Sequence, residues 1–195
     1  MKWVWSVYVQ PIIDYSSQLW APISGAKLLR LENLLRSFTS KIEGYKSYSY
    51  WERLKLLDIS SIERRFERYR TIYSYKILRG WADNCGLKWY HNSKVGTMMK
   101  TLAVGKFSKT LRANSFQYLG PRLFNSLPRN LRDSTDEFST WKKKYNEFLR
   151  KIPDTPQTAE LTPEVCDNFT AAPSNSMINW IPYLGLDDRR GETSL

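Results

Sequence analysis

The chain reads as a mostly α-helical protein, and three observations predict it. Apolar residues recur at three- and four-residue spacing over 3–20, 26–43, 61–79 and 135–151. Strings of the form Ser-x-x-Glu, which open helices as capping boxes, stand at Ser49–Glu52, Ser60–Glu63 and Ser134–Glu137. Gly44 and Gly80 stand just past two of the periodic stretches, where a glycine closes a helix at no steric cost. The expected organisation is a helical bundle over 1–80, an irregular segment ending in a docking helix over 81–152, and a disordered acidic tail over 153–195.

The elements follow in order. Residues 3–20 form a helix with Pro11 inside it, which kinks it or delays its start. Trp5, Tyr8, Ile12, Tyr15 and Leu19 share one face, and Ala21-Pro22 ends the helix. Over 26–43, Leu28, Leu31, Leu35, Phe38 and Ile42 make the buried stripe, with Arg30 and Lys41 on the polar side. The first two capping boxes predict helices at about 50–57 and 61–79. On the second, Ile62, Phe66, Tyr69, Tyr73 and Ile77 form the inward face, and Arg64, Arg68, Tyr75 and Arg79 lie opposite.

Residues 81–87 read as loop. The stretch to 130 lacks a clear period; it admits short strands near 98–104 and 107–112, and a short helix over 115–126. The third box opens a helix at 135–151. Phe138, Trp141, Tyr145, Phe148 and Leu149 fall on one side, and Lys142 to Lys144 on a solvated face. Pro153, Pro156, Pro163 and Pro173, with few apolar residues between them, mark the tail. Trp180, Ile181 and Tyr183 in it read as an inert, solvent-exposed island or, alternatively, a short docking motif.

Charge is distributed unevenly. The 195 residues hold 30 Lys+Arg against 19 Asp+Glu, a formal net charge of +11. Residues 1–152 carry 28 basic against 12 acidic side chains, and residues 153–195 carry two against seven. So basic a domain attracts polyanions, and nucleic acid is the usual partner. The aromatics fall on the apolar stripes and read as core; the arginines opposite the stripe are the candidates for phosphate contact. Arg64, Arg68 and Arg79 lead that set, and Arg30 and Lys41 join it.

Several classes are excluded. Cys85 and Cys166 lie far apart and suggest no disulfide framework, which makes a reducing compartment the default. The apolar start, Met1 to Trp5, is broken by Ser6, Gln10, Pro11 and Asp14, so no secretory signal is read and an intracellular location, nucleus or cytoplasm, is expected. No stretch has the length to span a bilayer, and no membrane partner is expected. Cys85 and His91, the single histidine, supply two metal ligands where zinc sites use three or four. There is no Gly-rich phosphate loop, and no metal or cofactor is expected.

An ordered set of strings adds a family reading. Tyr8-Val9-Gln10-Pro11-Ile12-Ile13-Asp14-Tyr15 continues through Trp20-Ala21-Pro22. Then come Arg53-Leu54-Lys55-Leu56-Leu57-Asp58 running on to Arg64-Arg65, and Tyr75-Lys76-Ile77-Leu78-Arg79-Gly80. Thr110-Leu111-Arg112 and Phe116 precede Arg122-Leu123-Phe124-Asn125-Ser126-Leu127-Pro128, and a last helix carries Phe138 and Lys142. Over about residues 5–151 the set resembles the thumb and following region of reverse transcriptases of non-LTR (LINE-type, jockey-like) retrotransposons.

The resemblance implies a thumb-like helical bundle that holds a template–primer duplex of RNA or DNA by its backbone, with the palm domain as its native intramolecular partner. It adds Arg112 and Arg122 to the candidate nucleic-acid contacts. It also implies that without a palm Trp5, Trp20 and Trp51 are exposed. Polymerase chemistry needs carboxylates that bind two metal ions. The one Asp-Asp pair, Asp187-Asp188, follows Gly185-Leu186 in a polar tail, where the family's motif has an aromatic residue on a palm hairpin. The chain is therefore read as a non-catalytic fragment of an RNA-directed DNA polymerase. A helical protein-interaction module or a functionless transposon remnant is the alternative.

Overall fold

The computed structural model describes residues 2–21, 25–83, 115–156 and 174–186. Among these residues the structure is helical, without a strand. The short strands expected near 98–104 and 107–112 lie outside the described residues. The chain divides into two compact units: Met1–Arg68 with Asp154–Ser176, and Tyr69–Pro153 with Met177–Leu195. The division between the units falls inside a helix, between Arg68 and Tyr69.

Unit 1 opens with α1 (Lys2–Val4), a π-helical turn (Trp5–Val9), α2 (Gln10–Asp14) and α3 (Ser17–Trp20). One continuous helix over 3–20 was expected. Two local causes break it. Pro11 lacks an N–H and its ring presses on the carbonyl one turn earlier; the wider turn just before it, closed by Gln10 N–H donating to Trp5 O, opens that space. Ser16 then adopts left-handed backbone at φ +50°. The inserted residue changes which side faces inward. Trp5, Ile13, Ser17 and Ala21 are buried and Val9 partly so, a spacing of four throughout. Of the expected stripe only Trp5 is inside. Tyr8, Ile12, Tyr15 and Leu19 are exposed. Trp20 is also exposed as expected, whereas Trp5 is buried against Phe38 at 5.1 Å and Trp51 is half-buried.

The helices α4 (Gly25–Ser40) and α5 (Tyr50–Leu57) behave as the periodicity predicts. Leu35 and Ile42 are core, with Leu28, Leu31 and Phe38 packed against them. Ser49 caps α5: its Oγ accepts the Glu52 N–H while Glu52 accepts the Ser49 N–H at 2.9 Å. Those hydrogen bonds hold the Glu52 carboxyl below its ordinary range. Asp58 ends α5 in left-handed backbone, with Ile59 N–H reaching Leu54 O at 3.0 Å and Asp58 N–H reaching Lys55 O at 3.2 Å. That is the Schellman arrangement, here built on aspartate instead of glycine.

Helix α6 (Ile62–Leu78) contributes to both units. Its cap is one residue later than the sequence suggests. Ser61, not Ser60, accepts the Arg64 N–H at 3.2 Å, and Glu63 does not turn back. Glu63 instead accepts Ser174 Oγ–H at 2.7 Å and Asn175 N–H at 3.0 Å, so the returning chain at 174–176 takes the place of the box. Asp154 accepts both the N–H and the hydroxyl of Ser61, each at 2.7 Å. Glu32 of α4 accepts the Ile62 N–H at 3.0 Å and the Tyr50 hydroxyl proton. Carboxylates at a helix start satisfy its free N–H groups and oppose its dipole. Burial pushes the Glu32 carboxyl up to about 7 and raises that of Glu63 as well.

Unit 2 holds the second half of α6, then α7 (Phe116–Asn125), α8 (Arg129–Arg132), α9 (Phe138–Arg150) and α10 (Met177–Tyr183). Its core is an aromatic stack: Tyr75 lies parallel to Trp141 at 3.8 Å, and Trp141 to Tyr145 at 5.2 Å. The polar edges of these rings are tied. The Tyr75 hydroxyl donates to Asp136 O at 3.1 Å and Trp141 Nε1–H donates to Leu131 O at 2.9 Å. Gly120 lets α7 approach α6 closely; a Cβ there would stand 2.8 Å from Ser74 Oγ.

The start of α9 differs from the expectation. Ser134 bonds Asp136, and the helix begins at Phe138 without a side-chain cap. The inward residues Trp141, Tyr145 and Phe148 are as expected, with Phe138 and Leu149 packed beside them. Within the expected disordered tail, residues 177–183 are helical. Met177, Trp180 and Ile181 are buried in this core, and Tyr183 is exposed.

Candidate nucleic-acid interface

The candidate cations scatter between inside and outside. Arg30 and Lys41 are exposed at either end of the α4 region, as the polar face predicts. Arg68 is half-buried and engaged in contacts within the protein. Arg64 is a correction. It is 3% exposed, with Nη2 donating to Asn175 O at 3.0 Å and Nε 3.6 Å from Asp154. A guanidinium so enclosed ties the 174–176 segment to α6, on the inner side of the helix instead of the outer face that the sequence suggests. Tyr75, expected on the same outer face, is core.

The reason lies in α6 itself. Ile62 and Phe66 point into the first core, Ile72 and Tyr75 into the second, and Tyr69, Tyr73 and Ile77 are only half-buried. A single stripe drawn through 62–77 misassigns the sides. Arg53, Arg70 and Arg132 are buried too, so much of the arginine content is internal. Arg53, for example, donates to Tyr48 O at 2.6 Å and to Thr39 Oγ1 at 3.3 Å.

In unit 2 Arg79 is half-buried at the end of α6, and other groups gather around it. Arg79 lies over the Tyr75 ring at 5.2 Å. Lys76 lies over Phe138 at 4.8 Å and Lys142 over the same ring at 5.9 Å. Trp81 meets Tyr75 at 5.9 Å and Phe138 at 6.0 Å, edge to face in both cases. Three cations from α6 and α9 thus border one aromatic group. Cations over aromatic faces keep their charge while their stems are held in position.

Asp136 borders the group as its acidic member. It accepts Lys144 Nζ at 2.6 Å, and that contact first, then Ser134 and the more distant charge of Arg79, lowers its carboxyl below the ordinary range. Lys144 is therefore spent internally, whereas among the described residues Lys76 and Lys142 pair with no carboxylate.

Lys76, Trp81 and Lys142 were not among the sequence candidates. Their signal was present in Gly80, which closes α6 and returns the chain, and in the one-turn spacing of Phe138 and Lys142. Arg122 is exposed on α7 over the Tyr118 ring at 5.2 Å. Arg112 lies outside the described residues, as do Cys85 and His91.

Among the described residues no group of three or more His, Cys, Asp or Glu is placed to hold a metal ion, and no helix is long and apolar enough to cross a membrane. Comparison of the chain with protein-family models, curated proteins and solved structures gives no match.

Proposed function

We propose that the chain is the thumb and following region of a non-LTR retrotransposon reverse transcriptase, and that it binds RNA or DNA through the backbone without reading sequence. One observation carries this reading beyond the sequence resemblance: Lys76, Arg79 and Lys142 border a common aromatic group in a chain of net charge +11. Phosphate neutralisation by such a group is electrostatic and tolerant of sequence. On this reading the partner is a template–primer duplex inside the cell, in nucleus or cytoplasm. The palm of the parent enzyme covers the exposed residues of the first helices, and the chain by itself has no polymerase activity.

The test is a fluorescence-anisotropy titration with a labelled RNA–DNA hybrid at several salt concentrations. Affinity is expected to fall steeply with salt, by roughly 0.7–0.9 log units per log unit of salt for each phosphate contact. The Lys76→Ala/Arg79→Ala/Lys142→Ala variant is expected to lose about three contacts' worth of that slope. No binding at low salt by folded protein overturns the reading. Metal-dependent primer extension by the purified chain would overturn the non-catalytic part of it.

A second reading, a helical protein-interaction module, is favoured by a different observation. Ile12, Tyr15 and Leu19 are 75%, 79% and 72% exposed, more than solubility alone requires. It predicts that substituting this face changes partner capture while substituting the three cations does not.

A further inference from the structure

We propose that Trp81 is a base-stacking platform for an unpaired nucleotide, so that the site takes single-stranded RNA or DNA by its bases as well as its phosphates. The inference rests on the backbone-binding reading above and adds a ligand contact to it.

The position of Trp81 is set by the end of α6. Gly80 sits at φ +71°, with its N–H on Ile77 O at 3.0 Å and the Trp81 N–H on Lys76 O at 2.9 Å. This Schellman closure folds residue 81 back along the helix. The indole then stands edge to face against Tyr75 and Phe138, with interplanar angles of 72° and 83°. Tyr75 in turn is stacked on fully buried Trp141. The indole is therefore braced by one buried and one half-buried ring, yet it remains 52% exposed.

A tryptophan serving only the core would gain by turning inward. This one is held at the surface by a backbone closure and an aromatic bracket. Nucleobases offer π-faces to such a ring whatever their identity, and the flanking phosphates need cations nearby. Lys76, Lys142 and Arg79 are fixed on the two rings that brace the indole. Bases inside a duplex are already stacked, which makes an unpaired base the fitting occupant.

The experiment compares a short labelled oligothymidylate with an abasic strand of equal length and charge, each titrated against the full chain at two salt concentrations. Wild-type protein is expected to bind the base-bearing strand about tenfold more tightly. The ratio should hold at both salts, since stacking does not depend on counterion release. Trp81→Ala and Trp81→Leu should reduce the ratio to near one while leaving the salt slope intact, and Trp81→Phe should keep most of it. Trp81→Leu retains apolar bulk without a π-face, so it separates stacking from support of the fold. Equal affinity of wild-type protein for both strands, or a preference that survives in Trp81→Leu, overturns the platform and leaves backbone binding standing. Failure of wild-type protein to bind either strand while it binds the RNA–DNA hybrid overturns the platform alone, and failure to bind any of the three overturns both readings.

Discussion

Glu32 accepts the backbone N–H of Ile62 at 3.0 Å, so a buried carboxylate on α4 closes the first turn of α6. The same carboxylate accepts a hydrogen bond from the Tyr50 hydroxyl, whose own titration is pushed well up by burial and by the neighbouring negative charge. Three elements of unit 1 therefore meet on one side chain, and its protonation state should be visible in the stability of the protein.

Burial raises the folded-state value of Glu32 to about 7 from 4.5. Between those values the native protein holds a proton that the unfolded chain releases, so the Glu32 contribution to stability is fully present below pH 4.5 and is lost as pH rises through 7. Glu63 acts in the same direction, and Asp136 and Glu52, lowered in the fold, act in the opposite one. Urea unfolding from pH 4.5 to 8 should show Glu32→Gln gaining on wild type as pH rises, by on the order of 3 kcal/mol at the upper end. Two parallel pH profiles would show that Glu32 does not titrate in this window.

Arg64 gives a second prediction because its role changes between sequence and structure. Its guanidinium is enclosed between Asn175 and Asp154. Truncation leaves the Asn175 carbonyl without its guanidinium donor and removes the charge facing half-buried Asp154, so Arg64→Ala should cost about 3 kcal/mol in chemical denaturation. Exposed Arg30→Ala should stay within about 0.5 kcal/mol. A stable Arg64→Ala protein with weakened nucleic-acid binding would return Arg64 to the interface.

The strained cap of α5 offers a stabilising change. Asp58 occupies left-handed backbone at φ +50°, where its Cβ is crowded. Glycine relieves that cost, though the unfolded chain gains freedom in return. Asp58→Gly should therefore raise unfolding free energy by a net of about 0.5 kcal/mol. A lowered melting temperature would mean that the aspartate side chain contributes a contact that outweighs the strain.

Much of the fold was legible where periodicity is unbroken and caps are local. The α4 stripe and the Ser49–Glu52 box each depend on residues within a few positions of one another, and both are found. Part of what differed depended on distant chain. Ser61 and Glu63 looked like neighbours in a box until Asp154 and the 174–176 segment, about a hundred residues on, supplied better partners. Arg64 failed for the same reason. The face of residues 3–20 failed because one extra residue in the turn before Pro11 moves every later side chain around the axis. The proposed interface was only partly legible: Arg79 was a sequence candidate, whereas Lys142 and Trp81 come near it only through Phe138.

That shifted face supports a last prediction. Tyr8, Ile12, Tyr15 and Leu19 are all exposed within the first short helices. Water-facing apolar side chains in one short stretch favour self-association through burial of their surface. Ile12→Gln with Leu19→Gln removes apolar area without altering charge, and both sites tolerate glutamine in a helix. Static light scattering at rising concentration should show wild-type protein associating, and doing so no less at high salt, because screening does not weaken hydrophobic contact. The double variant should remain monomeric, with a change in unfolding free energy under about 1 kcal/mol. If both proteins scatter alike, or if association disappears with salt, the contact is electrostatic and lies elsewhere on this basic chain.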